Sequence, residues 1–202
     1  SFEGMLLKTD GVESWSCLIG QHNAYNLLAI YTTAVVLGAD PEETLVAMST
    51  LRPAPGRLEN MRGPKDISVI IDYAHTPDAL ENVLKTLREI APDRELICVF
   101  GCGGDRDRTK RPEMGRIAQK MADRIIVTSD NSRTEKTADI IAEIKEGMDI
   151  SGKAKSLFIE DREQAIRTAV MLAGQGATIL LAGKGHETYQ IIGTEKIHFD
   201  EK

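Results

Sequence analysis

The sequence predicts an α/β fold: a mainly parallel sheet covered by helices on both faces. Three observations carry this expectation. Short apolar runs rich in β-branched residues recur at 67–71, 96–100, 124–128, 156–159 and 178–181. Helical patterns fill the intervals, at 78–90, 112–121, 137–148 and 161–173. A crossover helix returns the chain so that the next strand runs in the same direction, so this alternation implies a parallel sheet with its helices on the faces. The third observation is Arg52–Gly56, RPAPG, with two prolines and a glycine in five residues. It reads as a linker and sets residues 1–52 apart from 53–202.

In chain order, residues 2–20 hold short apolar runs broken by Lys8, Thr9, Asp10 and Gly11, and the Asp10–Gly11 pair favours a tight hairpin between two edge strands. Residues 22–37 form a helix, with Asn23 placed to cap its start and Gly38 to stop it. Asp40, Pro41 and Glu43 open a second helix to about Ser49 in a capping-box arrangement. In the larger part, the strand at 67–71 runs into the polar loop DYAHTPD and then a helix behind Thr76 and Pro77. Ile117 and Met121, and Ala165, Ala169 and Leu172, fall at helical spacing and are assigned to the core. Residues 191–199 add a hairpin strand at the sheet edge.

Composition narrows the function classes. The 202 residues are 42% hydrophobic and 28% charged with a formal charge of -6, an acidic balance that disfavours nonspecific nucleic-acid binding. Arg106, Arg108, Lys110 and Arg111 nevertheless cluster, which on an acidic protein suits a small anionic ligand; a solvated loop is the alternative. The three cysteines lack metal or disulfide spacing, and no apolar run nears the ~20 residues needed to span a bilayer, so a cytoplasmic protein is expected. The abrupt start at Ser1 and Phe2, without Met and in strand-like sequence, suggests a piece of a longer chain.

Four loops follow predicted strands and so should converge on one sheet edge, where open α/β sheets bind ligands: Asp72–Asp78, Gly101–Pro112, Ser129–Glu135 and Gly183–Glu187. Asp72, Tyr73, His75 and Asp78 suggest chemistry, although Asp72 and Thr76 would equally serve to cap backbone groups. Gly101, Gly103 and Gly104 do not form a dinucleotide fingerprint, because Arg106 occupies the third glycine's place. Gly183–Lys184 lacks the spacing and the following Ser or Thr of a P-loop. Arg106 and Arg133, if they meet Asp130, Asn131 and Glu187, would grip both ends of a zwitterion: guanidinium on carboxylate, carboxylate and amide oxygen on ammonium. Against that, Asp105, Asp107, Arg106 and Arg108 could simply neutralise one another.

Together, QHNAYN, PGRLE, DYAHTPDAL, GCGGDRDRTKRP, SDNSR and GKGHETYQ resemble the Mur ligases, ATP-dependent amide ligases of peptidoglycan precursor synthesis, over nearly the whole chain and in order. The likeness is to the members that add a diamino acid to UDP-N-acetylmuramoyl-L-alanyl-D-glutamate. It implies that 1–52 is the tail of a central ATP-binding α/β domain and 53–202 a Rossmann-like C-terminal domain. It further implies that Asn26 lies on the adenine side of ATP, that Arg57 approaches the phosphates, and that Asp72 and His75 belong to the nucleotide-facing loop. Arg106, Asp130, Asn131, Ser132, Arg133, Gly183 and Glu187 would hold the incoming amino acid. Ser132 departs from the proline common there and loosens the turn.

Arg133 favours meso-diaminopimelate over L-lysine, since only the former has a distal carboxylate to neutralise a buried guanidinium. The family's P-loop and magnesium ligands are expected upstream of Ser1, so no catalytic residue is assigned here and this stretch alone should be inactive. The expected partners are ATP with Mg2+, meso-diaminopimelate and the UDP-MurNAc-dipeptide, with no nucleic acid or membrane, acting on a monomer. The L-lysine ligase, a noncatalytic nucleotide- or amino-acid-binding module and a nicotinamide oxidoreductase domain are the alternatives.

Overall fold

The computed structural model describes residues 1–202, and the chain divides into two compact units, Ser1–Ala54 and Pro55–Lys202. In the first, β1 (Met5–Thr9) and β2 (Val12–Ser16) form their own antiparallel pair. Asp10 and Gly11 turn the chain with φ of 50° and 86°, the two left-handed residues that a twisted two-residue hairpin requires. Two helices follow, α1 (Gln21–Val36) and α2 (Pro41–Ser49). Asp40 accepts the Glu43 N–H and starts α2 as its sequence suggests. Asn23 does not cap α1: the cap position is Gly20, and Asn23, already inside the first turn, donates its amide back to Ile19 O at 2.8 Å. Leu27, Tyr31, Leu45 and Met48 make a small core, and Leu28, Ile30, Val36 and Leu37 of the same helical stretch stay exposed.

The second unit is built on six strands in the order β3-β4-β8-β5-β6-β7. These are β3 (Glu59–Arg62), β4 (Ser68–Asp72), β5 (Leu96–Phe100), β6 (Arg124–Val127), β7 (Ser156–Phe158) and β8 (Thr178–Ala182). Only β3, which the apolar pattern does not reveal, runs antiparallel to its neighbour. The crossovers are α3 (Pro77–Ile90), α4 (Lys110–Met121), α5 (Thr137–Glu146) with the short α6 (Ile150–Ala154), and α7 (Arg162–Leu172). On one face Ile71, Ile97, Val99, Ile126, Ile179 and Leu181 pack with Ala165, Ala169 and Ala173. Strand alternation sends Ile70, Cys98, Ile125 and Leu180, all buried, to the opposite face. There α3 offers Leu80, Val83, Leu84 and Leu87. Burial on both sides is why these strands read as continuous apolar runs.

Three details differ from the sequence expectation. The inward residues of α4 are Arg111, Met114, Gly115 and Ala118 rather than Ile117 and Met121. The helix is pressed against α5 at Gly115, where an added Cβ would lie 2.3 Å from Ile144 O. Leu172, at the end of α7, is 38% exposed. The last hairpin, β9 (Tyr189–Ile192) and β10 (Glu195–His198), is a separate two-stranded sheet rather than an edge addition. The buried Gln190 amide anchors it over the end of β6, donating to Ser129 Oγ (2.7 Å) and Asp130 O (2.8 Å).

The loops after β5 and β6 are tied by a buried arginine. Arg111 is 0% exposed and forks onto Glu135 with two 2.8 Å bonds, while also reaching Glu143 (2.8 Å) and Gly103 O (3.1 Å). Glu135 in turn accepts the Asp105 N–H at 2.6 Å. The Arg111 guanidinium first, and then that backbone bond, hold the Glu135 carboxyl down at about 2. Its folded value lies below the unfolded one of about 4.3, so its stabilisation is complete above that pH and is lost as pH falls toward 2. Glu135→Gln is expected to lower the thermal midpoint at pH 7 by roughly 2–4 °C. In a melting series the gap from the unsubstituted protein should close between about pH 4.5 and pH 2; a gap independent of pH would show that the charge is not what matters.

Candidate functional site

Because five strands are parallel, the loops leaving β4, β5, β6 and β8 emerge on one edge of the sheet. Glycines let them touch backbone to backbone. A Cβ on Gly101 would lie 2.3 Å from Thr128 O, and one on Gly104 would lie 1.9 Å from Ser132 O. Gly104 N–H donates to Asn131 O at 2.9 Å. Asp105 secures the same seam by accepting both the Thr134 hydroxyl (2.7 Å) and its N–H (3.2 Å). The basic cluster is therefore mostly engaged in holding loops. Arg108 pairs with Glu143, Arg111 with Glu135 and Glu143, and Lys110 Nζ donates to His75 O (2.8 Å). Arg106 differs: it is exposed, with one bond to the carbonyl of Asp105 at 3.0 Å.

The residues read as an amino-acid grip do come together. Asn131, 5% exposed, donates from Nδ2 to Glu187 Oε2 at 2.9 Å. Its Oδ1 accepts from Lys184 Nζ (3.2 Å) and from Ile191 N–H (2.9 Å). Asp130 accepts the Asn131 N–H through Oδ1 (2.7 Å), which lies 3.8 Å from Lys184 Nζ. Gly183, with φ 117°, passes so close that a Cβ would sit 2.9 Å from Asp130 Oδ2. Arg133 holds a left-handed φ of 50°, a conformation unusual for a long side chain. It is pinned by Arg133 N–H to Ile191 O (3.1 Å), Gly193 N–H to Arg133 O (2.7 Å) and Nη1 to Gly104 O (2.8 Å). Ser132 does not loosen this turn: it is 2% exposed, and its carbonyl accepts the Glu135 N–H at 3.1 Å. Arg133 and Arg106 flank Gly103, whose added Cβ would meet Arg133 Nη1 at 3.0 Å and Arg106 Cγ at 3.7 Å. A cationic side thus adjoins an acid-and-amide side.

A second cluster surrounds Tyr73. The exposed Arg57 guanidinium lies 4.9 Å over the Tyr73 ring, His75 meets that ring edge-on at 4.6 Å, and His186 lies 5.3 Å away. His75 Nδ1 donates to Tyr73 O at 2.7 Å. Gly56 and Gly185 make this approach possible, since a Cβ on Gly56 would lie 2.1 Å from His186 N. Asp72 is 6% exposed and its carboxylate accepts backbone N–H groups of Leu58 and Ala74, each at 2.8 Å. It therefore shapes the loop, and Thr76 caps α3 through the Ala79 N–H. Asn26 belongs to the first unit, exposed on α1, and donates to Asn23 Oδ1 at 3.3 Å.

Sequence reasoning passed over Lys184, which is 0% exposed and also bonds Glu187 Oε2 at 3.2 Å. The available signal was a lysine between two glycines just after a buried strand; judged only as a failed P-loop, it lost its meaning. His186 and Gln190 were also missed, since neither has a spacing that marks it. No group of three or more His, Cys, Asp or Glu side chains is gathered as a metal ion would need, and no helix is long and apolar enough to cross a membrane.

Residues 56–185 match the family described as Mur ligase, glutamate ligase domain. All 202 residues align at 50% identity with the UDP-N-acetylmuramoyl-L-alanyl-D-glutamate--2,6-diaminopimelate ligase of Bacteroides fragilis, covering 42% of that protein. The same-named protein of Trichormus variabilis is 53% identical over 189 residues, 93% of this chain and 38% of its own length. A solved structure of an enzyme with that name superposes with a TM-score of 0.72 at 40% identity, over 99% of this chain and 41% of the other. The UDP-N-acetylmuramate-alanine ligase MurC of Thermotoga maritima superposes with a TM-score of 0.67 at 25% identity, over 88% of this chain and 38% of the other. The converging loops, the parallel sheet beneath them and these likenesses agree, and the chain belongs to the Mur ligase family.

Proposed function

We propose that this chain is part of an ATP-dependent ligase that joins meso-diaminopimelate to UDP-N-acetylmuramoyl-L-alanyl-D-glutamate in peptidoglycan precursor synthesis. The observation that carries the reading is the grip itself: Asn131 bonded to Glu187 at 2.9 Å, beside Arg133 and Arg106 across Gly103. The Glu187 carboxylate suits an ammonium, and the two guanidinium groups suit carboxylates. L-lysine has no distal carboxylate, and binding it would leave a guanidinium without a counter-charge, so the diamino diacid is favoured. In this reading residues 1–52 are the tail of a central ATP-binding domain and 53–202 the C-terminal domain of a cytoplasmic, monomeric enzyme.

ATP fits the second cluster in kind. Arg57 offers a cation to phosphate, and Tyr73, His75 and His186 offer ring faces and edges. Asn26 is assigned to the adenine and Asp72 to the loop that presents His75. ATP when bound supplies the phosphoryl group that activates the D-glutamate γ-carboxylate. Magnesium is assigned, on the family resemblance, to residues outside this chain, which spans 42% of the Bacteroides fragilis relative. The work of this chain is positioning: Asn131, Glu187 and Arg133 orient the amino acid so that its amine meets the activated carboxyl group.

Calorimetric titration of the 202-residue chain should give a stronger signal with meso-diaminopimelate than with L-lysine; equal heats for both would remove the specificity assignment. Arg133→Ala should weaken diaminopimelate by about 2 kcal/mol, roughly thirtyfold, with L-lysine little changed. Lys184→Met leaves the largely buried Asp130 and Glu187 carboxylates uncompensated and should cost about 3 kcal/mol of stability in urea unfolding. An unchanged urea midpoint would mean that the ammonium is not what holds the loop.

A further inference from the structure

A fully buried ion pair outside the grip is joined to it through two backbone carbonyls. Arg162, in the first turn of α7, is 1% exposed, and its side chain and that of Glu201 are 0% and 1% exposed. Its Nη1 donates to Ser129 O at 3.0 Å and its Nη2 to Ala182 O at 2.9 Å. Nε and Nη2 both reach Glu201 Oε1, at 2.7 and 2.6 Å. Ser129 immediately precedes Asp130 and Asn131, and Ala182 immediately precedes Gly183 and Lys184.

The sheet explains why a bridge is needed at that place. β5 lies between β6 and β8 and ends at Phe100, which is in register with both Val127 and Ala182. Beyond Phe100 no strand ladder joins the two flanking chains, yet Asn131 and Lys184 must still meet at 3.2 Å. The planar guanidinium reaches both carbonyls and a carboxylate with four bonds from three separate nitrogens, whereas an ammonium has only three donors, all on one atom. A guanidinium so deeply buried requires a counter-charge, and it comes from the segment after β10. That segment is itself strapped down by Phe199 N–H to Thr188 O (3.1 Å) and Lys202 Nζ to Glu59 Oε1 (2.7 Å).

We propose that Arg162 and Glu201 are positioning residues for the amino-acid grip: the carboxylate of the strap fixes the guanidinium that sets the spacing between the Asn131 loop and the Lys184–Glu187 loop. This rests on the diaminopimelate reading of the site, and the test separates the two. Glu201→Gln keeps the shape and an acceptor but removes the charge; Arg162→Lys keeps the charge but not the fork; Glu201→Asp keeps the carboxylate.

Native-state amide hydrogen exchange of the 202-residue chain, which needs no ligand, should quicken at least tenfold in 129–133 and 183–187 in the Gln and Lys variants. Amides of β4 and β5 should stay unchanged, and Glu201→Asp should recover part of the protection. Calorimetry should show diaminopimelate affinity falling at least tenfold in step. Exchange that quickens uniformly, or loops left as protected as before, overturns the proposal and leaves the pair a stabilising contact only. If Arg162→Lys does not fold, the Glu201→Gln exchange pattern decides. If the unsubstituted chain fails to bind diaminopimelate, the functional reading falls while the exchange data still judge the strap.

Discussion

A lysine ammonium with no access to water must be surrounded by acceptors, and this requirement organises the site. Lys184 meets Asn131 Oδ1 and Glu187 Oε2 at 3.2 Å each, with Asp130 Oδ1 at 3.8 Å. Removing a charge from water costs several kcal/mol unless partners replace the solvent. The loop after β6 and the loop after β8 are therefore held at a spacing that satisfies the ammonium. The same spacing brings Asn131 Nδ2 to Glu187. One carboxylate of the pair formed by Asp130 and Glu187 is offset by Lys184, which leaves the three side chains with a single net negative charge.

That arrangement depends on loops approaching closer than side chains permit. Gly104 against Ser132 O, Gly101 against Thr128 O and Gly56 against Gly185 and His186 are places where a methyl group would overlap backbone. Glycine removes the obstruction, and polar ties then keep the flexible segments in register: Arg111 on Glu135, Asp105 on Thr134, Arg162 on Ser129 O and Ala182 O. The chain thus combines the residue type that loses the most freedom on ordering with buried, charge-assisted bonds that impose that order.

The division of labour among the arginines follows from burial. Arg111 and Arg162 are wholly enclosed and bonded to loops and carboxylates of the fold, whereas Arg57 and Arg106 are exposed beside the two clusters. Arg133 stands between these cases, half-buried and held by its backbone and one guanidinium nitrogen. Its left-handed backbone is costly for such a residue, and the ties to Ile191, Gly193 and Gly104 offset that cost. A side chain fixed in this way would lose little further freedom on pairing with an anion.

The fold class, the five parallel strands, their crossover helices and the set of loops sharing one edge were legible in the sequence, because the periodicity of apolar residues is set by local geometry and by burial on one or two faces. That Asn131, Arg133 and Glu187 would meet was legible too, since they are chemically distinctive residues at strand ends. Tertiary structure alone decided the rest. β3 carries too few apolar residues to announce itself, and only its pairing with β4 makes it a strand. Arg106, Arg108 and Arg111 look alike in the sequence, yet their fates differ with the presence of Glu135 and Glu143 some thirty residues away. Lys184 and Arg162 acquire their roles from acceptors brought by other strands, and a charge's partners are set by distance in space, which no local pattern of residues records.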